Sequence, residues 1–235
     1  MRNNDPGKKD SAVALLSGGL DSAGSLALAA GDYEVSLSLF FDYGQIPVGK
    51  EEESSRAFAE RYVTEFEKIE LQWLGHISSS TMTPGGDDTP DYPVEGHPDD
   101  QARVSRAVWV ENRNGIFINV AAAFAVARGA TVIITGFNSE EAGAFPDNGG
   151  KFVDAVNGAL EISAGAPVRV ESPTLSMRKK EVVERGLELG LPWEYIWSCY
   201  RDGERMCGRC ESCVRLKNAV GGTHARASIF FEDDR

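Results

Sequence analysis

The chain has 235 residues, a net charge of −12 and an apolar content of 42%. This length suits one large α/β domain or one domain with a small appendage. The negative net charge argues against direct binding to nucleic acid. Four arginines between residues 201 and 215 could nevertheless form a local basic patch. No apolar run approaches the ~20 residues of a membrane span, and the polar residues 1–10 do not resemble a signal peptide. We therefore expect a cytoplasmic protein without a membrane partner.

Short apolar runs alternate with helical patterns, which predicts βαβ units and a parallel sheet. Strands are expected near residues 12–16, 35–41, 66–71, 131–135 and 168–171, with helices near 21–30, 50–62, 116–128, 152–160 and 176–189. Residues 75–107 are rich in Ser, Thr, Pro, Gly and Asp and are predicted to form a flexible lid or substrate loop. The last residues, including 229–231, are expected to be peripheral.

The first motif is Ser-Gly-Gly-Leu-Asp-Ser at residues 17–22, between the first strand and the first helix. Glycine lets the backbone approach an anion, and a helix N-terminus offers unpaired N–H groups. We predict that Ser17, Gly18, Gly19 and Ser22 surround the pyrophosphate end of ATP. The alternative is an ordinary glycine-rich turn between strand and helix, capped by Ser or Asp. Asp21 would repel phosphate directly, so we expect it to hold Mg²⁺, to cap the helix, or to do both.

All four cysteines lie near the C-terminus, at Cys199, Cys207, Cys210 and Cys213. Their spacing contains two consecutive C-x2-C steps, which suit one tetrahedral Zn²⁺. A set of four thiolates leaves no open position for water, so the predicted role is structural. An iron–sulfur cluster and a redox C-x2-C pair remain alternatives.

Two further polar segments and one lysine are candidates for binding. Residues 111–115 place Asn and Arg at a helix start, and residues 136–148 follow a strand, where open α/β sheets bind ligands. In the second segment, Asn138, Glu141 and Asp147 could read ring nitrogens and amino groups, with Phe145 as a stacking surface. Lys179 could neutralise charge on a phosphate. A solvated helix start, a polar surface loop and a surface lysine are the respective alternatives.

The motif at residues 17–22 resembles the signature of PP-loop ATP pyrophosphatases. Taken together, seven motifs in order resemble the 7-cyano-7-deazaguanine synthase (QueC) family over residues 12–220. They are residues 17–22, Phe-Asp-Tyr-Gly-Gln at 41–45, Asn-Arg-Asn at 112–114, Gly-Phe-Asn at 136–138, Phe-Pro-Asp at 145–147, Trp-Ser-Cys-Tyr at 197–200, and Cys-Gly-Arg-Cys-Glu-Ser-Cys at 207–213.

The resemblance implies a Rossmann-like α/β fold of the adenine nucleotide alpha hydrolase (HUP) type, with a parallel sheet flanked by helices and a C-terminal zinc knot. We place an ATP-binding domain at residues 1–195 and the zinc segment at 196–235. Asp21, Ser22 and Lys179 are the predicted catalytic residues. ATP is expected to contact Leu16, Ser17, Gly18, Gly19, Leu20, Asp21, Ser22, Ala23, Gly24, Ser25 and Leu26. The deazaguanine is expected to contact Asn112, Arg113, Asn114, Asn138, Glu141, Phe145 and Asp147.

The implied reaction is an ATP-dependent ligation that converts 7-carboxy-7-deazaguanine and ammonia into the nitrile through an amide, for queuosine or archaeosine synthesis. ATP, Mg²⁺ and Zn²⁺ are the implied cofactors, and a homodimer is expected by resemblance. Glu111 and the Gly149-Gly150 pair depart from the family pattern at the substrate end. An alternative is therefore a QueC-like anti-phage enzyme that joins the base to the N-terminal amine of a partner protein. A non-enzymatic nucleotide module is the third hypothesis.

Overall fold

The computed structural model describes residues 9–86, 88–93 and 97–234. One fully parallel sheet has the strand order β3-β2-β1-β4-β5. Its strands are β1 (Ser11–Leu15), β2 (Glu34–Asp42), β3 (Glu65–Glu70), β4 (Val132–Ile134) and β5 (Arg169–Glu171). Alternate residues of β1 enter two different apolar cores, with Ala12 and Ala14 in one and Val13 in the other. Helices must therefore cover both faces of the sheet, as in a Rossmann-like fold. The predicted fold class is confirmed.

The helices are α1 (Leu20–Asp32), α2 (Val48–Arg61), α3 (Gln72–Ile77), α4 (Pro98–Ala107), α5 (Arg113–Arg128), α6 (Gly150–Ser163), α7 (Lys179–Glu188) and α8 (Glu211–Val220). Buried side chains of α1, α2, α7 and α8 join the core on one face of the sheet. Those of α5 and α6 join the core on the other face. None of the helices in the described residues combines the length and apolarity that crossing a membrane requires.

The strand order creates a crevice at the centre of the sheet. The chain runs from β1 to β2 and β3 on one side, then returns to β4 and β5 on the other. The loops after β1 and β4 therefore leave adjacent strands in opposite directions. This switch point is where open α/β sheets bind ligands. Both the 17–22 motif and the 136–148 segment begin there.

Three local predictions need correction. Residues 75–107 are not one irregular loop, because α3 ends at Ile77 and α4 occupies Pro98–Ala107. Helix α7 begins at Lys179 rather than next to Ser176, because residues 172–177 form two successive turns, from Leu175 N–H to Ser172 O and from Met177 N–H to Thr174 O. The segment 229–231 is not wholly peripheral, since Ile229 and Phe231 are buried in the apolar core while Phe230 is exposed.

Candidate nucleotide and substrate site

A cavity of about 210 Å³ lies at the carboxyl ends of β1, β2 and β4. It is lined by residues from both loops at the switch point and by Trp197, Ser198 and Tyr200, which flank Cys199. The predicted site residues that line it are Leu16, Ser17, Gly19, Leu20, Asp21, Ser22, Arg113, Asn114 and Glu141. The topology thus brings together segments that lie more than a hundred positions apart in the sequence.

The turn after β1 has the backbone form that an anion site needs. Gly18 has a φ of +77°, and a Cβ there would lie 2.3 Å from Ser54 Oγ on α2. Its carbonyl accepts hydrogen bonds from Ser54 Oγ at 3.0 Å and from Trp197 N–H at 3.1 Å. Within the described part of the chain, the N–H groups of Gly18 and Gly19 meet no acceptor. They are therefore available to an anionic ligand at the start of α1.

The two serines of the motif face each other across this turn. Ser17 Oγ lies 3.1 Å from Ser22 Oγ, which also donates to Gly19 O at 3.1 Å. The second half of the predicted ATP segment turns away from the cavity. Ala23 and Leu26 are core residues, Gly24 packs against Val182, and Ser25 bonds to Thr174 at 2.8 Å between hydroxyls. These four residues shape α1 beneath the site rather than line it.

Lys179 is the centre of an ion-pair group built from three elements. At the start of α7 it is only 4% exposed, and its ammonium pairs with Asp21 of α1 and, at 2.7 Å, with Glu141. Burial by itself lowers the pKa of Lys179, but the two carboxylates outweigh it and raise that pKa above its ordinary value. Lys179 is therefore a buried, fixed cation at the edge of the cavity, and the surface-lysine interpretation is wrong.

The two carboxylates around Lys179 differ in their electrostatics. Burial raises the pKa of Asp21 to about 6, although Lys179 opposes the shift. Burial by itself would also raise the pKa of Glu141. Lys179 and Arg215 outweigh burial and hold the pKa of Glu141 below its ordinary value. Asp21 does not cap α1, because the N-cap position is Gly19 and the Asp21 carboxylate turns to Lys179. Asp21 Oδ1 is buried and meets no donor among the described residues.

A smaller cavity adjoins the first through Arg113 and Glu141. It adds two further predicted substrate residues to these, Phe145 and Asp147. The rings of Phe145 and Trp109 face each other with centroids 5.9 Å apart and planes 20° apart. Burial raises the pKa of Asp147, while Arg113 opposes that shift. A planar heterocycle with polar edges matches these aromatic and charged groups.

Two of the predicted substrate residues line neither cavity. Asn138 is fully buried, and its Oδ1 accepts the N–H groups of Glu140 at 3.1 Å and Glu141 at 2.9 Å. It therefore shapes the loop that presents Glu141 to Lys179. Asn112 is exposed, has a φ of +52°, and lies outside the residues that line either cavity.

The family departures also lie outside the cavities. Glu111 points away from the site and accepts a hydrogen bond from Ser78 Oγ at 2.8 Å. Gly149 is the residue before α6, and Gly150 is exposed. The Glu111 carboxylate is therefore bound to Ser78 and lines neither cavity.

Several residues that line the site were not identified from the sequence. Gln45 and Glu51 line the larger cavity, Trp109 the smaller, and Tyr43 and Tyr200 approach Arg113. Gln45, Tyr43 and Tyr200 belong to motifs that carried the resemblance, which was a usable signal. Glu51 and Trp109 belong to no such motif, and only their position in the fold identifies them.

The four cysteine sulfurs all lie within 4.8 Å of one another and are buried. Backbone N–H groups of Arg201 and Cys207 donate to Cys199 Sγ at 3.3 Å, which suits a thiolate. Zn–S bonds of about 2.3 Å around a tetrahedral ion place sulfurs about 3.8 Å apart, and Cys207 Sγ and Cys213 Sγ are 3.9 Å apart. The cysteines are thus arranged as a compact metal site. An iron–sulfur cluster would hold its thiolates farther apart, because each would bind a different iron atom.

Comparison with known proteins agrees with this geometry. The family model described as "Queuosine biosynthesis protein QueC" matches residues 11–223. The chain belongs to the QueC family. It is 45% identical to the 7-cyano-7-deazaguanine synthase of Pelotomaculum thermopropionicum, with 88% of this chain and 95% of the relative aligned. The enzyme of the same name from Carboxydothermus hydrogenoformans is 46% identical over 91% of this chain and 99% of the relative. The one from Methanosarcina mazei is 41% identical over 88% and 92%.

Proposed function

We propose that this QueC family member uses ATP to convert 7-carboxy-7-deazaguanine and ammonia into 7-cyano-7-deazaguanine. The observation that carries the proposal is that the 17–22 turn and Arg113 line one cavity, with an aromatic cavity beside it. Lys179 pairs with two residues that line the first cavity, Asp21 and Glu141. Relatives that share 41% to 46% of their residues with almost the whole chain bear the name of this activity.

The reaction requires two activations. A carboxylate is a poor electrophile, so its oxygen first attacks the α-phosphorus of ATP, and pyrophosphate leaves. Ammonia then attacks the acyl carbon, the new C–N bond forms, and AMP leaves with the former carboxylate oxygen. Adenylation of the amide oxygen by a second ATP and loss of AMP and protons give the nitrile.

The residues of the site suit these steps. The free N–H groups of Gly18 and Gly19, with the Ser17 and Ser22 hydroxyls, are placed to bind the phosphates that leave as pyrophosphate. We assign Lys179, held by Asp21 and Glu141, to the negative charge that grows on the α-phosphate, and its burial would strengthen that interaction. The Arg113 guanidinium lies between the two cavities, where it can hold the substrate carboxylate against the nucleotide.

The residues also fit the expected metals. Asp21 is the residue that would hold Mg²⁺, since its Oδ1 is a buried acceptor without a donor in the described residues. Mg²⁺ would neutralise charge on the phosphate oxygens of ATP. We propose that Cys199, Cys207, Cys210 and Cys213 hold one structural Zn²⁺, because the sulfurs have tetrahedral spacing and N–H donors.

The test is direct assay of the purified protein with Mg-ATP, ammonium chloride and 7-carboxy-7-deazaguanine. Mass spectrometry should detect the amide and then the nitrile, with AMP formed in step. Asp21→Asn should abolish both products, whereas Asp154→Asn, on the exposed side of α6, should not. A correctly folded wild-type protein that leaves the carboxylate unchanged would refute the proposal.

A further inference from the structure

Glu51 is a carboxylate in the cavity to which the reaction above gives no role. It lies in the first turn of α2 and lines the same cavity as Asp21 and Arg113. The next two residues behave differently: Glu52 pairs with Lys68 at 2.9 Å, and the exposed Glu53 pairs with Lys50 at 3.4 Å. Among the described residues, no lysine, arginine or histidine lies within ion-pair distance of Glu51. Glu51 is therefore an inward-facing acid that forms no ion pair with a basic side chain of the described residues.

The orientation of Glu51 is fixed by Gln45. The side chain of Gln45 is 2% exposed, and its Oε1 accepts Tyr43 N–H at 2.9 Å. Its Nε2 donates to Phe41 O at 3.0 Å and to Glu51 Oε2 at 2.8 Å. A rigid amide thus occupies one oxygen of Glu51. Within the described residues, the other oxygen, Oε1, accepts no hydrogen bond and is left to the cavity.

The surroundings of Glu51 favour a readily exchanged proton. Burial raises the pKa of Glu51 to about 7, although Gln45 and the Arg113 guanidinium on α5 lower it in part. Tyr43 is the other titratable group near it, and burial raises the pKa of that phenol, which keeps it neutral. The remaining titratable groups around the cavity are Asp21, Glu141 and Tyr200.

We propose that Glu51 binds ammonium in this cavity and takes one of its protons to give ammonia. The inference rests on the proposed function, because it supplies the nucleophile of the amide-forming step. The carboxylate and ammonium exchange one proton to give the carboxylic acid and ammonia. The nitrogen lone pair then attacks the adenylated carboxyl carbon, a C–N bond forms, and the bond to AMP breaks. The new amide nitrogen loses one further proton, which leaves with AMP.

The cavity suits a small cation better than a neutral amine. Ammonium in water carries its charge at neutral pH and cannot attack until it loses a proton. The unpaired Oε1 of Glu51 supplies a negative acceptor in this cavity. An acid group poised near neutral pH also serves well as a general base.

The test compares two nucleophiles in Glu51→Gln, which keeps the shape of the side chain and removes its charge. Hydroxylamine is largely neutral at pH 7 and needs no base to become nucleophilic. We expect ammonium-dependent amide formation to fall at least ~100-fold, in the range of lost general-base catalysis. Hydroxamate formation and the pyrophosphate burst with a fixed amount of enzyme should stay at the wild-type level. Glu53→Gln, on the outer side of the same helix, is the matched control.

A second measurement does not depend on turnover. Ammonium chloride should raise the melting temperature of wild-type protein more than sodium chloride does at the same concentration, and Glu51→Gln should remove the difference. An equal loss of activity with ammonium and with hydroxylamine, or a higher KM for ATP in Glu51→Gln, would assign Glu51 to the nucleotide and overturn the inference. Wild-type activity of Glu51→Gln with ammonium would also overturn it. Ammonium-specific stabilisation in a protein that makes no amide would instead refute the proposed reaction and keep the binding site.

Discussion

Lys179 shows how much the meaning of a single residue depends on its partners. In the sequence it is one of two lysines at a helix start, and its neighbour Lys180 is exposed. In the structure it joins Asp21 and Glu141, which lie on two other segments at the cavity. Breaking a buried ion pair by removing one member costs roughly 3–5 kcal/mol, because the other charge is left without a partner.

Lys179→Met is therefore expected to have two effects. The free energy of unfolding should fall, and pyrophosphate release should slow roughly 100-fold or more, as when a charge-stabilising donor is removed from an active site. Urea unfolding and a pyrophosphate assay measure the two effects separately. Lys180→Met is the matched control and should change neither. Retention of wild-type pyrophosphate release in Lys179→Met would remove this residue from the chemistry.

Glu51 predicts a pH dependence of stability in the protein without ligands. The unfolded chain ionises this group near 4.5, whereas the folded protein does so near 7. Between these pH values the folded state binds more protons, so the contribution of Glu51 to stability falls as pH rises. Glu51→Gln should therefore gain stability over wild type across this window, by roughly 2–3 kcal/mol at its upper end. Urea unfolding at about pH 5 and about pH 8 tests this.

The control for this pH effect is Glu53→Gln, which removes an exposed charge from the same helix. Its stability relative to wild type should be nearly the same at both pH values. A difference between Glu51→Gln and wild type that does not change with pH would show that the Glu51 carboxyl ionises normally in the folded protein.

At the scale of elements, the site depends on close contact between the loops after β1 and β4. A Cβ at Gly136 would lie 2.6 Å from the backbone nitrogen of Ser22, where no flexible side chain can move aside. This glycine lets the end of β4 approach the start of α1. The sequence predicted that both loops lie at the site, and only the tertiary structure shows how near they are.

Gly136→Ala should push these loops apart. We expect a loss of about 1–3 kcal/mol in the free energy of unfolding, as in overpacked cores, and a higher KM for ATP. The contrasting change is Gly158→Ala within α6, where a Cβ would meet no atom within 4 Å. It should stabilise the protein by up to ~1 kcal/mol, because alanine favours the helix. Equal effects of the two variants would contradict this account of the crevice.

At the scale of the whole molecule, the cysteine site supports the fold as well as its own segment. All four cysteines belong to the apolar core that contains Leu16 and Leu20. The segment before α4 also rests on this region, since Arg201 donates to Thr89 O at 2.5 Å and Tyr92 N–H donates to Arg209 O at 2.9 Å. Met82, in the same segment, lines both cavities.

Removal of the metal ion that we propose at this site should therefore lower the stability of the entire chain. We expect chelation to shift one cooperative melting transition downward, with a loss of roughly 4 kcal/mol or more. Adding Zn²⁺ back should restore the transition, and adding Mg²⁺ should not. Scanning calorimetry with metal analysis makes the measurement. A separate second transition would support the predicted boundary between residues 1–195 and 196–235, and an unchanged melting temperature would contradict a structural metal.

The sequence alone determined the parallel α/β fold, the glycine turn and the cysteine set, because these depend on local periodicity, short-range spacing and a resemblance carried by contiguous motifs. The helix at Pro98–Ala107 was not predicted from the sequence, because it buries few residues and its composition is mostly polar, as in a loop. The tertiary structure decided which charges meet. Lys179 becomes a buried partner of Asp21, Asn138 becomes a loop support, and Glu51 becomes an acid inside the cavity. Burial and distance across the sheet set these roles, and the residues that are adjacent in the sequence determine neither of them.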